Sequence, residues 1–94
     1  MFIVINDRYG GFDLSREALE NYCKAKGILD TDTYHRHSID RCDSTLVEIV
    51  RTMGDRANSR YSRLKIVEIP DGTEYLIQEH AGMEWIAESH RTWR

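Results

Sequence analysis

Two helical segments follow one another directly in this chain, with one strand before them and three after. That order most constrains the fold. Helices that alternate with strands build parallel sheets through crossovers, whereas helices grouped together leave the strands to pair antiparallel. The assignment rests on periodicity. Residues 2–6 (Phe-Ile-Val-Ile-Asn) are almost wholly apolar and β-branched, the pattern of a strand covered on both faces. Ala18, Leu19, Tyr22 and Cys23 then form an apolar stripe at helical spacing. Ser15 is placed to cap that helix, Leu14 and Leu19 have the spacing of a hydrophobic staple, and Gly27 supplies the stop, so the helix spans 16–26. Asp43 caps a second helix, whose apolar set of Leu46, Val47, Val50 and Met53 ends at Gly54.

Residues 29–42 are polar and aperiodic and read as a long loop, uncommon in a compact domain unless it is functional or mobile. Residues 55–62 form a second polar loop with room for a helical turn. A β-branched strand occupies 63–69, followed by the turn Pro70-Asp71-Gly72-Thr73, a return strand over 74–79 and a turn at His80-Ala81-Gly82. Residues 83–91 alternate Trp85, Ala87 and Ser89 with Glu84, Ile86 and Glu88, which favours a further strand over a short helix. The expected fold is α+β. It is a small single domain over residues 1–94 with a mainly antiparallel sheet, the N-terminal strand plus a C-terminal three-stranded meander, packed against two helices.

Ninety-four residues exclude a two-domain enzyme with separate cofactor and substrate halves. Thirteen Lys and Arg against 16 Asp and Glu give a net charge of −3, which argues against general nucleic-acid binding. The apolar start is far too short for a membrane span of about 20 residues, and it lacks the basic head and cleavage site of a signal peptide. Two cysteines allow at most one disulfide, and Cys23 sits on the apolar helix stripe as a buried thiol would. A reduced, cytoplasmic protein is the expectation.

Three stretches stand out together: Ile5-Asn6 with Tyr9-Gly-Gly-Phe12 and Leu14-Ser15, then Leu64-Lys-Ile-Val-Glu-Ile-Pro-Asp71, then Gly82 with Glu84, Glu88, His90, Arg91 and Trp93. In these motifs the chain resembles a family of small proteins encoded by tailed bacteriophages and prophages. The likeness covers nearly the whole chain and weakens over residues 28–42. Family members often carry Asn-Gly where this chain has Asn58-Ser59, and Asp-Gly where it has Ala81-Gly82. Both departures fall in turns. The resemblance implies a setting in the host bacterial cytoplasm, where small phage accessory proteins bind host molecules, and it implies no particular chemistry.

Four groups of residues carry candidate chemistry. The Tyr9-Gly10-Gly11-Phe12 loop leads from a strand towards a helix N-terminus, where backbone N–H groups and the helix dipole favour an anion, and Arg8 adds charge. The competing account is geometric: glycines make a tight turn that lets Phe12 and Tyr9 reach the core. His90, Arg91 and Trp93 gather donors and an aromatic face near the C-terminus, so that Arg91 can grip a phosphate while Trp93 or Trp85 stacks a ring. Against this stands a strand whose tryptophans, Trp85 above all, complete the core. Arg56, Asn58 and Arg60, with Tyr61 following, form a local anion-recognition pattern or a solvated loop. His35-x-His37 with Asp40 and Cys42 nearby lacks a convergent four-ligand set, so no metal is expected, and no cofactor.

No nucleophile elbow is present, and no spacing singles out an acid–base pair. The leading expectation is a non-enzymatic phage accessory protein that acts by binding, sequestering a small phosphorylated, nucleotide-like host immune signal. Its contacts are Arg8, Tyr9, Gly10, Gly11, Arg56, Asn58, Arg60, His90, Arg91 and Trp93, in a pocket formed between subunits of a homo-oligomer. Direct inhibition of a host defence or metabolic protein is the alternative, and a small nucleotide hydrolase the third.

Overall fold

The computed structural model describes residues 1–31 and 39–88. Strand β1 (Phe2–Asn6) leads to helices α1 (Arg16–Lys26) and α2 (Ser44–Met53) and a 3-10 turn (Gly54–Ala57). Strands β2 (Leu64–Glu68), β3 (Tyr75–His80) and β4 (Met83–Glu88) follow. Residues 83–88 are a strand, as the alternation indicated.

The α+β class with antiparallel strands is the one expected, but the three-stranded meander is not a single sheet. β1 pairs with β2 in the register Phe2↔Glu68 to Asn6↔Leu64, and β3 pairs with β4 as a separate ribbon. The physical reason lies at the end of β2. The Ile69 amide donates to the Met1 carbonyl, so the ladder continues towards the chain start, and Pro70 has no N–H with which to begin a ladder to β3.

Alternation along β1 places the two sheets and the helices in three layers. Val4 faces α1 and α2, in a core with Leu14, Ala18, Leu19, Cys23, Leu46, Val47 and Val50. Ile3 and Ile5 face the opposite way, packing with Ile69 against Tyr75, Ile77 and Ile86 of the ribbon. This explains why β1 reads as nearly continuous apolar sequence: residues 3–6 are all buried, with a core on each side.

The helix termini follow from local chemistry. The Ser15 hydroxyl accepts from the Ala18 amide and donates to the Arg56 carbonyl, tying the start of α1 to the 3-10 turn. Asp43 does more than cap α2. Its carboxylate accepts from the amides of Thr45 and Leu46, from the Tyr22 hydroxyl at 3.2 Å, and from Lys26 Nζ at 2.8 Å, so one side chain joins the two helices. Burial pushes the Asp43 carboxyl up, but Lys26 and the two amides outweigh it and hold the group below the usual carboxylate range.

Asp43→Ala should therefore cost about 1–2 kcal/mol, the ordinary loss on removing a helix cap. Because the folded-state pKa is depressed, the ionised group stabilises fully above the ordinary carboxylate value of about 4, and the benefit is lost as pH falls through the lower folded value. Urea unfolding at neutral and acidic pH checks both points: the difference between wild type and variant should shrink only below about pH 4.

Candidate functional site

The site sits at the end of β1 away from Met1, where three loops meet. Asn6, fully buried, holds them together. Its Nδ2 donates to the carbonyls of Arg8 and Gly82, both at 2.7 Å, its Oδ1 accepts from the Arg63 amide at 2.8 Å, and its own amide donates to Glu84 Oε1 at 2.9 Å. Glu84 is in turn gripped by Arg41 in two-pronged fashion, Nη1 to Oε1 at 2.7 Å and Nη2 to Oε2 at 2.9 Å. The Arg41 guanidinium carbon stands over the Phe12 ring, 3.5 Å from its centroid.

Two glycines are required here by close approach. A Cβ on Gly10 would lie 2.5 Å from the Tyr61 carbonyl oxygen, and one on Gly82 would lie 2.6 Å from the Gly10 carbonyl carbon and 2.7 Å from Gly11 Cα. Backbone therefore packs on backbone, and the Gly10 amide donates to the Ala81 carbonyl at 3.0 Å. Ala81 and Gly82 form the two-residue loop of the ribbon with φ of 51° and 91°, the sign pattern of a type I′ turn.

The expected site residues divide into those brought together and those kept apart. Arg8, Tyr9, Gly10, Gly11 and Arg60 share one surface: Arg8 Nη1 donates to the Arg60 carbonyl at 3.3 Å, and Gly10 abuts Tyr61. Gly10 and Gly11 do not open directly onto a helix. Residues 12–15 intervene, Ser15 caps α1, and the Gly10 amide is engaged with Ala81. Arg56 lies apart, bonded at 2.7 Å to Glu17 on α1, which raises its already high pKa. Asn58 is structural, since its Oδ1 accepts from the Leu64 amide at 2.7 Å and its backbone bridges to Leu14. His90, Arg91 and Trp93 lie outside the described residues, as do His35 and His37.

Two aromatic placements differ from expectation. Tyr9 is 61% exposed rather than part of the core, because the glycine turn sends only Phe12 inward. Trp85 is 45% exposed on the outer face of the ribbon, paired across the strands with Gln78, to which its indole N–H donates. Tyr61 and Arg63 complete the exposed surface around Arg8. The carboxylates nearby are occupied: Asp7 lies 3.6 Å from Arg63, Asp13 accepts from the Leu14 amide, and Glu79 accepts from the Gly82 amide. Arg8 and Arg60 have no carboxylate partner among the described residues.

Of the three residues that set this geometry, Asn6 and Glu84 were visible only as parts of the resemblance motifs, with no role in the packing assigned to them, and Arg41 was not singled out at all. One signal was available: Glu84 falls on the same face of its strand as the core residue Ile86, where an apolar side chain is the ordinary choice. Among the described residues, no three of His, Cys, Asp and Glu gather as metal ligands, and no helix is long and apolar enough to cross a membrane.

Arg41→Met should destabilise by about 3–5 kcal/mol by leaving the Glu84 carboxylate buried without its cation. Adding Glu84→Leu should cost less than the two single changes summed, as a double-mutant cycle in denaturant would record. At the ribbon tip the two loop positions should respond oppositely. Gly82→Ala should cost more than about 2 kcal/mol through backbone collision, whereas Ala81→Asn, relieving a positive φ, should raise stability by about 0.5–1 kcal/mol. Thermal unfolding of the two variants measures this.

Comparison with known proteins adds no relative to this geometry: no family model matches the chain, and neither a curated protein nor a solved structure does.

Proposed function

We propose that the protein works by binding, and that the surface of Arg8, Tyr9, Arg60 and Tyr61 takes a small phosphorylated ligand. The observation that carries this is an imbalance within a chain of net charge −3. Here two exposed guanidiniums, Arg8 and Arg60, have no carboxylate partner among the described residues, while Asp7, adjacent to Arg8 in the chain, pairs with Arg63. A guanidinium presents paired donors that match a phosphate, and exposed tyrosine rings beside it offer stacking area for a base. Tyr9 and Tyr61 are each about 60% exposed, so neither is consumed by the core.

Read with the phage motifs, this ligand is a nucleotide-like host signal, and the protein sequesters it in the host cytoplasm. A second copy of the chain facing this surface supplies a further wall of the site. A second reading, direct inhibition of a host protein, draws support from the outer face of the ribbon, where Leu76 is 62% and Trp85 45% exposed.

Calorimetry with a panel of linear and cyclic nucleotides, with pyrophosphate as the base-free control, distinguishes these readings. Binding should weaken as salt rises, and Arg8→Ala and Arg60→Ala should each reduce affinity by roughly 10–150-fold, the loss of charge-assisted hydrogen bonds. Absence of binding across the panel sinks the phosphate reading. A host protein captured only when Leu76 and Trp85 are intact then favours the second.

A further inference from the structure

A different concavity lies at the opposite end of β1. It has a volume of about 320 Å³ and is lined by Met1, Phe2, Cys42, Ser44, Val47, Glu48 and Arg51. That volume falls at the small end of ligand pockets, about 300–1,000 Å³. Four of these residues, Ser44, Val47, Glu48 and Arg51, are spaced i, i+3, i+4 and i+7 on α2 and so share one helix face. The floor is apolar, supplied by Met1, Phe2 and Val47, and half-buried Cys42, whose sulfur lies 3.9 Å from that of Met1, also lines the space.

The rim carries the selectivity. Arg51 is about half exposed and loosely held: its guanidinium carbon stands 5.0 Å from the Phe2 ring centroid, and its one carboxylate contact, to Glu48, is 3.4 Å long. A cation with such weak partners over an apolar floor is complementary to an anion with an apolar body. Glu48 bears its own charge beside Arg51. It offsets part of the attraction of Arg51 for an anion, so the apolar floor must supply much of the affinity and a compact, planar carboxylate that reaches the guanidinium fork fits better than a bulkier tetrahedral group. We infer that the Phe2–α2 concavity binds a small apolar carboxylate, with its body on Phe2, Met1 and Val47 and its carboxylate on Arg51.

This site is separate from the arginine–tyrosine surface, so either can fail without the other. Cys42 offers an internal reporter. Its thiol lines the concavity and shares a 2.9 Å hydrogen bond with the Tyr75 hydroxyl, whereas Cys23 is buried in the core. The hydrogen bond with Cys42, together with burial, pushes the Tyr75 hydroxyl up to about 12, so it stays protonated throughout the assay range.

The test follows alkylation of Cys42 by iodoacetamide, resolved by mass spectrometry on the full chain, with benzoate, phenylacetate and hexanoate as probes. Benzyl alcohol and hexanol serve as uncharged counterparts. Each carboxylate should slow Cys42 alkylation in a saturable way, and the alcohols should be weaker by at least about tenfold. Arg51→Leu should abolish most of the protection, and Glu48→Gln should strengthen it. Glu48 is mostly exposed and Arg51 about half exposed, so neither variant opens the core. Protection by alcohols as strong as by carboxylates, an Arg51→Leu variant protected like the wild type, or no protection at millimolar probe would each overturn the assignment.

Discussion

The carboxamide of Asn6 decides how this molecule closes. A strand has two edges, and every buried amide and carbonyl along each must find a partner. One edge of β1 is satisfied by the β2 ladder. Along the other no described strand pairs, yet three of its groups find partners. The Val4 amide donates to the Arg41 carbonyl, Arg41 Nη1 donates to the Val4 carbonyl, and the Asn6 amide reaches the Glu84 carboxylate. Side chains and one loop carbonyl thus stand in for a strand. Asn6 extends the arrangement past the strand end by using both amide protons and its oxygen on three separate segments. No buried side-chain polar atom in the described structure lacks a partner, so the side chains of this network are all satisfied. A complete network fixes one arrangement, whereas a partial one costs more than an apolar core.

That edge chemistry has a consequence for the layers. Since Glu84 meets β1 through its carboxylate instead of its backbone, β4 can lie over the face of the β1–β2 sheet and not merely extend it. The ribbon then covers Ile3 and Ile5 while the helices cover Val4. A chain of this length buries a modest fraction of its surface, and placing a strand between two cores makes the most of five residues. The cost is one exposed ribbon face, where Leu76 and Trp85 remain in solvent.

How much of this was legible in the sequence depends on the range of the interaction that decides each feature. The bounds of α1 and α2 were readable because Ser15, Gly27, Asp43 and Gly54 act within one turn of the helix they delimit. The strands were readable from β-branched runs and turn residues. Which strands share a sheet was not, because it turns on Pro70 and on the Met1–Ile69 bond, a contact across 68 positions. The glycines of the Tyr9-Gly10-Gly11-Phe12 loop were visible as glycines, but their reason lies in Tyr61 and Gly82, distant residues whose backbones press against them. Trp85 was assigned to a core because tryptophan usually buries. Period 2 alone cannot say which face of an isolated ribbon is inward, and here that face belongs to Ile77 and Ile86. At the candidate site, Arg8 and Arg60 were legible as cations and their proximity was not.

The polar network and the exposed arginine surface are parts of one device. Binding through surface arginines is ordinarily weakened by the entropy of ordering long side chains and the loop that bears them. Here the loop is already ordered: the Arg8 carbonyl is tied to Asn6, the Gly10 amide to Ala81, and the Arg8 guanidinium to the Arg60 carbonyl. Ser62, nearly inaccessible, fixes the second loop by donating to the Asp13 carbonyl and accepting from Ser59. The backbone cost has therefore been met in folding, so that on the proposed reading an anion restricts only the outer torsions of two side chains. The same rigidity sets a limit, because a loop locked against a hairpin tip by backbone contact has no room to wrap a ligand. On the proposed reading, a second copy facing Tyr9 and Tyr61 supplies the remaining wall of the site.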